Sequence, residues 1–223
     1  MTVADVNRRR GRPPQSEAAA EAARARIVAA TAAVFAERGS HGMSVAQIIE
    51  KAGIARPTFY RYFANTDEPL QILLDASDRA LVDGLQAALD SADDEIAMVL
   101  AGIDAYLVWA QHHGPALRPL FTELYDSSSA VSPHRERTLA MLRSRLIARF
   151  EKLGRTPPVP ADIDVLLNSF EYVGYRVALS APGDDTTVEW ARATMARIAI
   201  GLVGTAADVE RATAIPGLLR AAD

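Results

Sequence analysis

The sequence predicts an all-α protein with a small N-terminal domain followed by a larger helical body. Apolar residues recur at helical spacing through most of the 223 residues, and segments of alternating apolar and polar residues are nearly lacking. Residues 44–63 add a third observation, because they have the pattern of two short helices joined by a glycine turn. These features favour a three-helix N-terminal domain and exclude a sheet-based fold.

The first helix is expected at residues 17–38. One face of this segment is apolar at helical spacing, and Gly39 follows it as a helix-ending residue. The buried face is predicted to contain Ile27, Ala30, Thr31, Val34 and Phe35.

The next two helices form the most informative stretch of the chain. Ser44 and Gln47 have capping-box spacing, Gly53 suits a left-handed helix end, and Pro57 suits a first helical turn. Phe59 and Phe63 lie one helical turn apart and should point inward. An arginine-, hydroxyl- and aromatic-rich surface remains outside: Arg56, Thr58, Tyr60, Arg61 and Tyr62. This pattern predicts a helix-turn-helix whose second helix reads DNA.

The remaining chain is also expected to be helical. Asn65 should cap a fourth helix that continues to about Leu89, with Glu68 as its capping-box partner. A tail at residues 205–223 is weakly patterned and is expected to be loosely attached. Further helices are predicted at residues 96–110, 115–125, 133–153, 162–180 and 187–203. In the predicted helix at residues 133–153, the arginines are expected on an outer face and His134 is expected to be exposed.

Charge is divided unevenly along the chain. Residues 1–63 contain ten Arg/Lys against five Asp/Glu, whereas residues 64–223 contain fourteen against twenty-three. A basic N-terminal quarter on an acidic body indicates a polyanion-binding domain. Cysteine is absent, which suits a reducing cytoplasm, and no apolar run is long enough for a membrane span.

The basic arm at residues 1–20 has two interpretations. Arg10-Gly11-Arg12-Pro13 resembles an AT-hook, in which glycine lies on the floor of an A·T-rich minor groove and the arginines meet its negative potential. A generic basic tail that contacts phosphates is the alternative.

The run Ala-Gly-Ile-x-x-x-Thr-Phe-Tyr-x-Tyr-Phe at residues 52–63 resembles the DNA-binding signature of the TetR (tetracycline-repressor) family of bacterial regulators. The motif resemblance covers about residues 21–81, which we take as the DNA-binding domain, and leaves residues 82–204 as an effector-binding and dimerisation domain. The family pattern has a phosphate-binding lysine at the position of Thr66. The predicted DNA contacts are Arg10, Arg12, Ser44, Val45, Gln47, Ala55, Arg56, Pro57, Thr58, Tyr60, Arg61, Tyr62 and Thr66.

The resemblance also implies a ligand cavity among the middle helices and a two-fold dimer formed by the last two strong helices. Gly174, Ala178, Ala196, Ala199 and Gly201 would permit close helix approach in such a dimer, or would complete the core of one protomer.

Aromatic residues and polar groups on apolar helix faces are the candidates for the cavity. The aromatic residues could equally be plain core, and the polar groups Asp104, Asn168 and Glu171 need partners that a ligand, a neighbouring helix or an interface could supply. The predicted ligand-binding residues are Asp104, Tyr106, Trp109, Phe121, Tyr125, Asn168, Phe170, Glu171 and Tyr175.

The sequence therefore predicts a homodimeric, ligand-responsive transcriptional regulator, a repressor released from a palindromic operator by a small apolar effector. An architectural DNA-binding protein without an effector is one alternative, and an enzyme with an appended DNA-binding domain is another. No phosphate-binding loop, nucleophile elbow or His-Glu-x-x-His pattern is present, so no cofactor, metal or catalytic residue is predicted.

Overall fold

A computed structural model describes residues 17–92, 94–181 and 183–219, without the side chains of residues 115 and 116. These residues form ten α-helices and no strand, which confirms the all-α prediction. The helices are α1 Glu17–Arg38, α2 Val45–Ala52, α3 Arg56–Tyr62, α4 Asp67–Asp90, α5 Glu95–His112, α6 Gly114–Glu123, α7 Val131–Lys152, α8 Pro160–Leu179, α9 Asp185–Val203 and α10 Ala206–Thr213.

The first three helices and the start of α4 enclose one hydrophobic core. Its fully buried members include Ile27 of α1, Ile48 of α2, Phe59 of α3 and Leu70 of α4. The predicted apolar face of α1 is buried throughout, and the helix ends at Gly39 with φ 68°. We call this unit the head; α4 leaves it and continues into the body.

The body packs α5, α8 and α9 around a second core. Ile103 of α5, Val173 of α8 and Met195 of α9 are buried together. Gly174 and Ala178 are also buried within the protomer. A Cβ added to Gly174 would lie 2.2 Å from the Tyr106 hydroxyl, so this glycine admits Tyr106 between α5 and α8. None of the described helices is long and apolar enough to cross a membrane.

The C-terminal segment differs from the expected loose tail over residues 205–219. Thr205 and Asp208 form a capping box that begins α10, and Ala212 and Leu218 are buried against the body. Arg155 Nη2 lies 2.7 Å from Asp208 Oδ2 and connects the segment to the loop after α7. The apolar pattern did not predict this attachment, because charged groups such as Asp208 and Arg155 make many of the contacts.

Two expectations for α7 are corrected by packing. His134 is buried rather than exposed, with 6% of its surface accessible. Arg135 and Arg149 do not lie on an outer face: their side chains are 13% and 19% exposed, and they turn toward α8 and α5. Long apolar stems allow arginine to line an interior surface while its guanidinium finds polar partners.

Candidate functional site

The helix-turn-helix is stabilised by local capping and by the buried rings of Phe59 and Phe63. The backbone N–H of Ser44 donates to Gln47 Oε1 at 2.8 Å and the backbone N–H of Gln47 donates to Ser44 Oγ at 3.4 Å, which together form the predicted capping box. Gly53 ends α2 with φ 61°, and the Ile54 N–H returns to the Ile49 carbonyl at 3.1 Å. Phe59 fastens α3 to the head core, so α3 is a rigid platform for the side chains outside it.

The outer surface of α3 carries an organised arginine–tyrosine pair. Arg56 Nη2 donates to the Tyr60 hydroxyl at 3.1 Å, and its guanidinium carbon lies 5.4 Å from the centre of the Tyr60 ring. Both side chains are exposed, and no ion pair with a carboxylate holds Arg56 within the described chain. The guanidinium is therefore presented with charge and donors available, as base or phosphate contact requires.

The other predicted DNA contacts on α2 and α3 lie around this pair. Ala55, Pro57 and Arg61 are exposed, whereas Thr58 is partly buried. Val45 and Tyr62 are partly buried and pack against the head core, so each contributes to stability as well as to the surface. Arg10 and Arg12 lie outside the described residues.

The start of α4 is poorer in phosphate donors than expected. Asn65 Oδ1 accepts from the N–H groups of Asp67 and Glu68 at 3.0 and 3.1 Å, which supports the predicted cap. Glu68 Oε2 accepts from the N–H of Ala64 at 2.9 Å, and not from the N–H of Asn65 that the predicted capping box requires. The Thr66 hydroxyl points to Asp67 Oδ1 at 3.4 Å. The cap therefore uses amides that would otherwise attract an anion.

An apolar cavity of about 470 Å³ lies between α4, α5, α7 and α8. Five of the predicted ligand residues line it: Tyr106, Trp109, Phe121, Phe170 and Glu171. Tyr106 donates from its hydroxyl to the Phe170 carbonyl at 3.1 Å, and burial raises the pKa of Tyr106 far above its usual value. The Tyr106 phenol in the cavity wall is therefore neutral, and its hydroxyl proton is donated to the protein backbone.

The other four predicted ligand residues do not line the cavity. Asp104 forms a partly exposed ion pair with Arg192, with Oδ1 to Nε at 2.6 Å. Tyr175 packs its ring against Phe121, 5.8 Å between centres. Tyr125 is 74% exposed, and its hydroxyl donates to Asn168 Oδ1 at 3.2 Å.

Arg135 supplies the partner that the polar residues of α8 required. Its Nη2 lies 2.6 Å from Glu171 Oε2 and 2.5 Å from Asn168 Oδ1, and its guanidinium stacks on the Tyr125 ring at 4.5 Å. Burial raises the pKa of Glu171, while its hydrogen bonds and charge interaction with Arg135 act in the opposite direction. These groups satisfy one another without a ligand.

A second polar group at the cavity was not identified in the sequence. His134 Nε2 lies 3.1 Å from Asp78 Oδ2, and the Thr138 hydroxyl donates to the same oxygen. His134 Nδ1 is buried and has no hydrogen-bond partner among the described residues. The spacing of His134 and Thr138 on α7 was a possible signal, but only the fold brings Asp78 of α4 to them.

This architecture defines an all-helical protein with a helix-turn-helix head and a cavity-containing body. The family model described as "Bacterial regulatory proteins, tetR family" matches residues 27–70, which cover α1 to the start of α4. Residues 27–70 of this chain therefore match the TetR family.

Comparison with known proteins agrees with this assignment. The HTH-type transcriptional activator FasR of Mycolicibacterium smegmatis is 27% identical over 126 residues, which cover 56% of this chain and 55% of FasR. The match therefore spans about half the length of that relative.

Solved structures extend the similarity of fold to most of the chain. A TetR-family regulator from Syntrophomonas wolfei has a TM-score of 0.67 at 17% identity, covering 82% of this chain and 97% of that one. The fatty acid degradation regulator FadR from Bacillus halodurans has a TM-score of 0.63 at 18% identity, covering 78% and 94%.

Proposed function

We propose that this protein is a ligand-responsive transcriptional regulator that binds a palindromic DNA operator as a homodimer. The observation that carries the proposal is the exposed Arg56–Tyr60 pair on α3, the proposed recognition helix, whose Phe59 is buried in the head core. Its arginine offers charge and bidentate donors to a guanine edge or a phosphate, while the core-facing rings fix its direction. The arm residues Arg10 and Arg12 would add contacts beside the helix-turn-helix.

A face of α8 supports the dimer. Val165, Tyr172 and Leu179 recur every seven residues and are 52%, 60% and 46% exposed. Residues at this spacing share one helix face, and exposed apolar residues in such a row are typical of a protein interface. A two-fold pairing of this face would place two heads for the two halves of a palindrome.

The cavity supports the response to an effector. α6 contributes Leu120 and Phe121 to the cavity lining, and its last residue, Glu123, contacts the loop after α1. A ligand that favours one position of α6 would therefore bias the orientation of the head. Repression is the proposed outcome, because blocking a promoter requires DNA binding alone. FasR, by contrast, is named an activator.

Footprinting with the full chain on DNA upstream of its own and neighbouring genes tests the proposal. We expect a protected palindrome whose affinity falls on Arg56→Ala, and a reporter whose expression rises when the regulator is removed. Protection that is indifferent to sequence would favour an architectural protein. A fall in reporter expression on removal would show activation. We further propose that the protein is not an enzyme. We also propose that it acts in the cytoplasm, where its operator DNA lies.

A further inference from the structure

The cavity is elongated, and its two ends differ in chemistry. Its lining residues on α4 run from Leu74 to Leu89, a distance of about 22 Å at 1.5 Å per helical residue. The end near Leu74 adjoins Phe121 of α6 and the head. The opposite end, which we call the distal mouth, is formed by late α4, early α5 and the end of α7.

Basic side chains concentrate at the distal mouth. Arg145, Arg149, Lys152 and Arg155 all line it, within the last two turns of α7 and the loop that follows. Glu95 is the acidic residue among the lining groups at this end. Arg135, the other cation in the lining, is paired with Glu171 at 2.6 Å, and the remaining length of the cavity is predominantly apolar. Unpaired positive charge is therefore concentrated at the distal mouth.

Two of these charges are already neutralised. Arg155 Nη2 lies 2.7 Å from Asp208, and Glu95 lies 3.1 Å from Arg211. Both contacts fasten α10 to the body and contribute to the structure of the protomer.

The other three cations have no carboxylate at hydrogen-bond distance among the described residues. Arg149 directs Nε and Nη2 at the Met98 sulfur, 3.1 and 3.0 Å away, and donates to the Leu89 carbonyl. Its nearest carboxylate, Asp90, is 3.8 Å away and largely exposed. A thioether is a weak acceptor, so this guanidinium has unused donor capacity. Arg145 and Lys152 form no ion pair or hydrogen bond within the described residues.

We propose that the distal mouth binds the anionic head group of an amphipathic ligand, with its extended apolar tail directed along the cavity toward α6. The proposal rests on the ligand-responsive function above and adds the chemical class and the orientation of the effector. A carboxylate at the mouth accepts charge-assisted hydrogen bonds from Arg149 and lies near Arg145 and Lys152. The tail is buried against aliphatic and aromatic walls, which are poor partners for a nucleotide or another strongly polar molecule.

Binding of matched probes to the full chain tests the class of ligand. Dodecanoate, 1-dodecanol and dodecyltrimethylammonium differ only in the head group and are compared by fluorescence of Trp109, which lines the cavity. Trp190→Phe removes a second, partly exposed indole. We expect dodecanoate to bind about tenfold more tightly than the alcohol, and the ammonium ion to bind most weakly.

Variants locate the selectivity. Arg145→Gln combined with Lys152→Gln should reduce the preference for dodecanoate while Arg149 retains part of it, and affinity for 1-dodecanol should change by less than about twofold. Arg79→Gln is the matched control, because this exposed cation on α4 does not line the cavity. It should leave both affinities unchanged. An equal loss in the control would overturn the assignment of the charges at the mouth.

Brominated chains test the orientation. Trp109 donates to the Ser77 carbonyl, so it lies at the end of the cavity nearest the DNA-binding head and far from the distal mouth. Bromine at carbon 12 of dodecanoate, the end of the tail, should therefore quench Trp109 more than bromine at carbon 2, which is next to the carboxylate. The reverse order would overturn the orientation. Equal affinity for acid and alcohol would overturn the anionic site while leaving the cavity as a ligand site. If neither dodecanoate nor 1-dodecanol binds, the proposed anionic site is overturned. Operator binding measured in parallel then shows whether the protein still binds DNA specifically, which tests the proposed function separately.

Discussion

The backbone N–H of Ser40, in the loop after α1, donates to Glu123 Oε1 at 2.7 Å, and this contact joins the head to the body. The Ser40 hydroxyl reaches the second carboxylate oxygen at 2.5 Å, and the Ser129 hydroxyl reaches it at 2.6 Å. Glu123 is 7% exposed, so these donors compensate the burial of its charge. Since Glu123 ends α6, a shift of that helix acts directly on the loop that precedes the capped α2.

Glu123→Gln should destabilise the protein by about 1.5–3 kcal/mol, because an amide replaces one acceptor oxygen with a donor among groups that already donate. Urea unfolding followed by circular dichroism measures the loss. Glu136→Gln on the exposed face of α7 is the matched control and should be neutral. Equal unfolding free energies for the two variants would show that this contact adds no stability.

Gly174→Ala should destabilise the body by about 1–3 kcal/mol through overpacking, because its Cβ would lie 2.2 Å from the Tyr106 hydroxyl. Tyr106→Phe removes that oxygen, so the double variant should recover part of the loss. Thermal unfolding of the four proteins forms a double-mutant cycle. Gly84→Ala, where an added Cβ meets nothing within 4 Å, should instead be slightly stabilising. Strict additivity of the Gly174 and Tyr106 changes would contradict the steric account.

Asp208→Asn should loosen α10 and cost about 1.5–3 kcal/mol. Burial opposes ionisation of this carboxyl, but hydrogen bonds from Thr205 and the guanidinium groups of Arg211 and Arg155 hold the pKa of Asp208 well below its usual value. Its contribution is therefore complete above about pH 5 and is lost as the pH falls through the ordinary carboxyl range and below.

Hydrogen exchange of the α10 amides at neutral pH and at about pH 3 measures this effect. The Asn variant should exchange rapidly at both values, whereas the parent protein should lose protection only in acid. The exposed Asp83→Asn on α4 is the control. Unchanged protection in the Asn variant would show that apolar contacts alone hold the segment.

The head could be predicted closely from sequence because its signals are local. Ser44 with Gln47, Gly53 and Pro57 each act within one or two turns, and the predicted α1 has the bounds of the observed helix. The apolar face of α1 also needed only its helical period. Capping and turn chemistry carry their information at short range, so a single sequence reveals them.

The candidate cavity could be predicted only in part because its decisive contacts are long-range. Asp104 and Asn168 were recognised as polar groups that need partners, but nothing local indicates that Arg192 and Arg135 supply them. The same limit applies to α10, whose attachment depends on Arg155, fifty-three residues before Asp208. Apolar periodicity shows which face of a helix is buried, but it does not show which other helix packs against that face.

Arg56→Ala should weaken operator binding by about 1–3 kcal/mol and relax the preference at one base pair, because the arginine begins the recognition helix and has no carboxylate partner in the described chain. Binding to a library of single-base operator variants measures both effects. Tyr62→Phe should weaken all sequences alike, and Arg79→Ala should leave binding unchanged. A uniform loss on Arg56→Ala would assign this residue to a phosphate instead.

Thr66→Lys should tighten DNA binding without changing the preferred operator, because it adds a cation to a helix start that now lacks one. The capping amides of Asp67 and Glu68 are occupied by Asn65, so the present corner has few donors for a phosphate. One new phosphate contact should steepen the dependence of log affinity on log salt by about 0.9. Affinities across a salt series on operator and scrambled DNA measure this, with Thr66→Gln as the uncharged control.

The neighbouring acids set the alternative outcome for Thr66→Lys. Asp67 and Glu68 are exposed within one turn and can pair with the new ammonium. Replacing Asp67 by Asn in the same chain removes one competitor, so the double variant should bind more tightly than Thr66→Lys alone. Tightening confined to the operator would mean that this corner reads sequence. No change in either variant would mean that the start of α4 does not approach the DNA backbone, and that α3 carries recognition without this anchor.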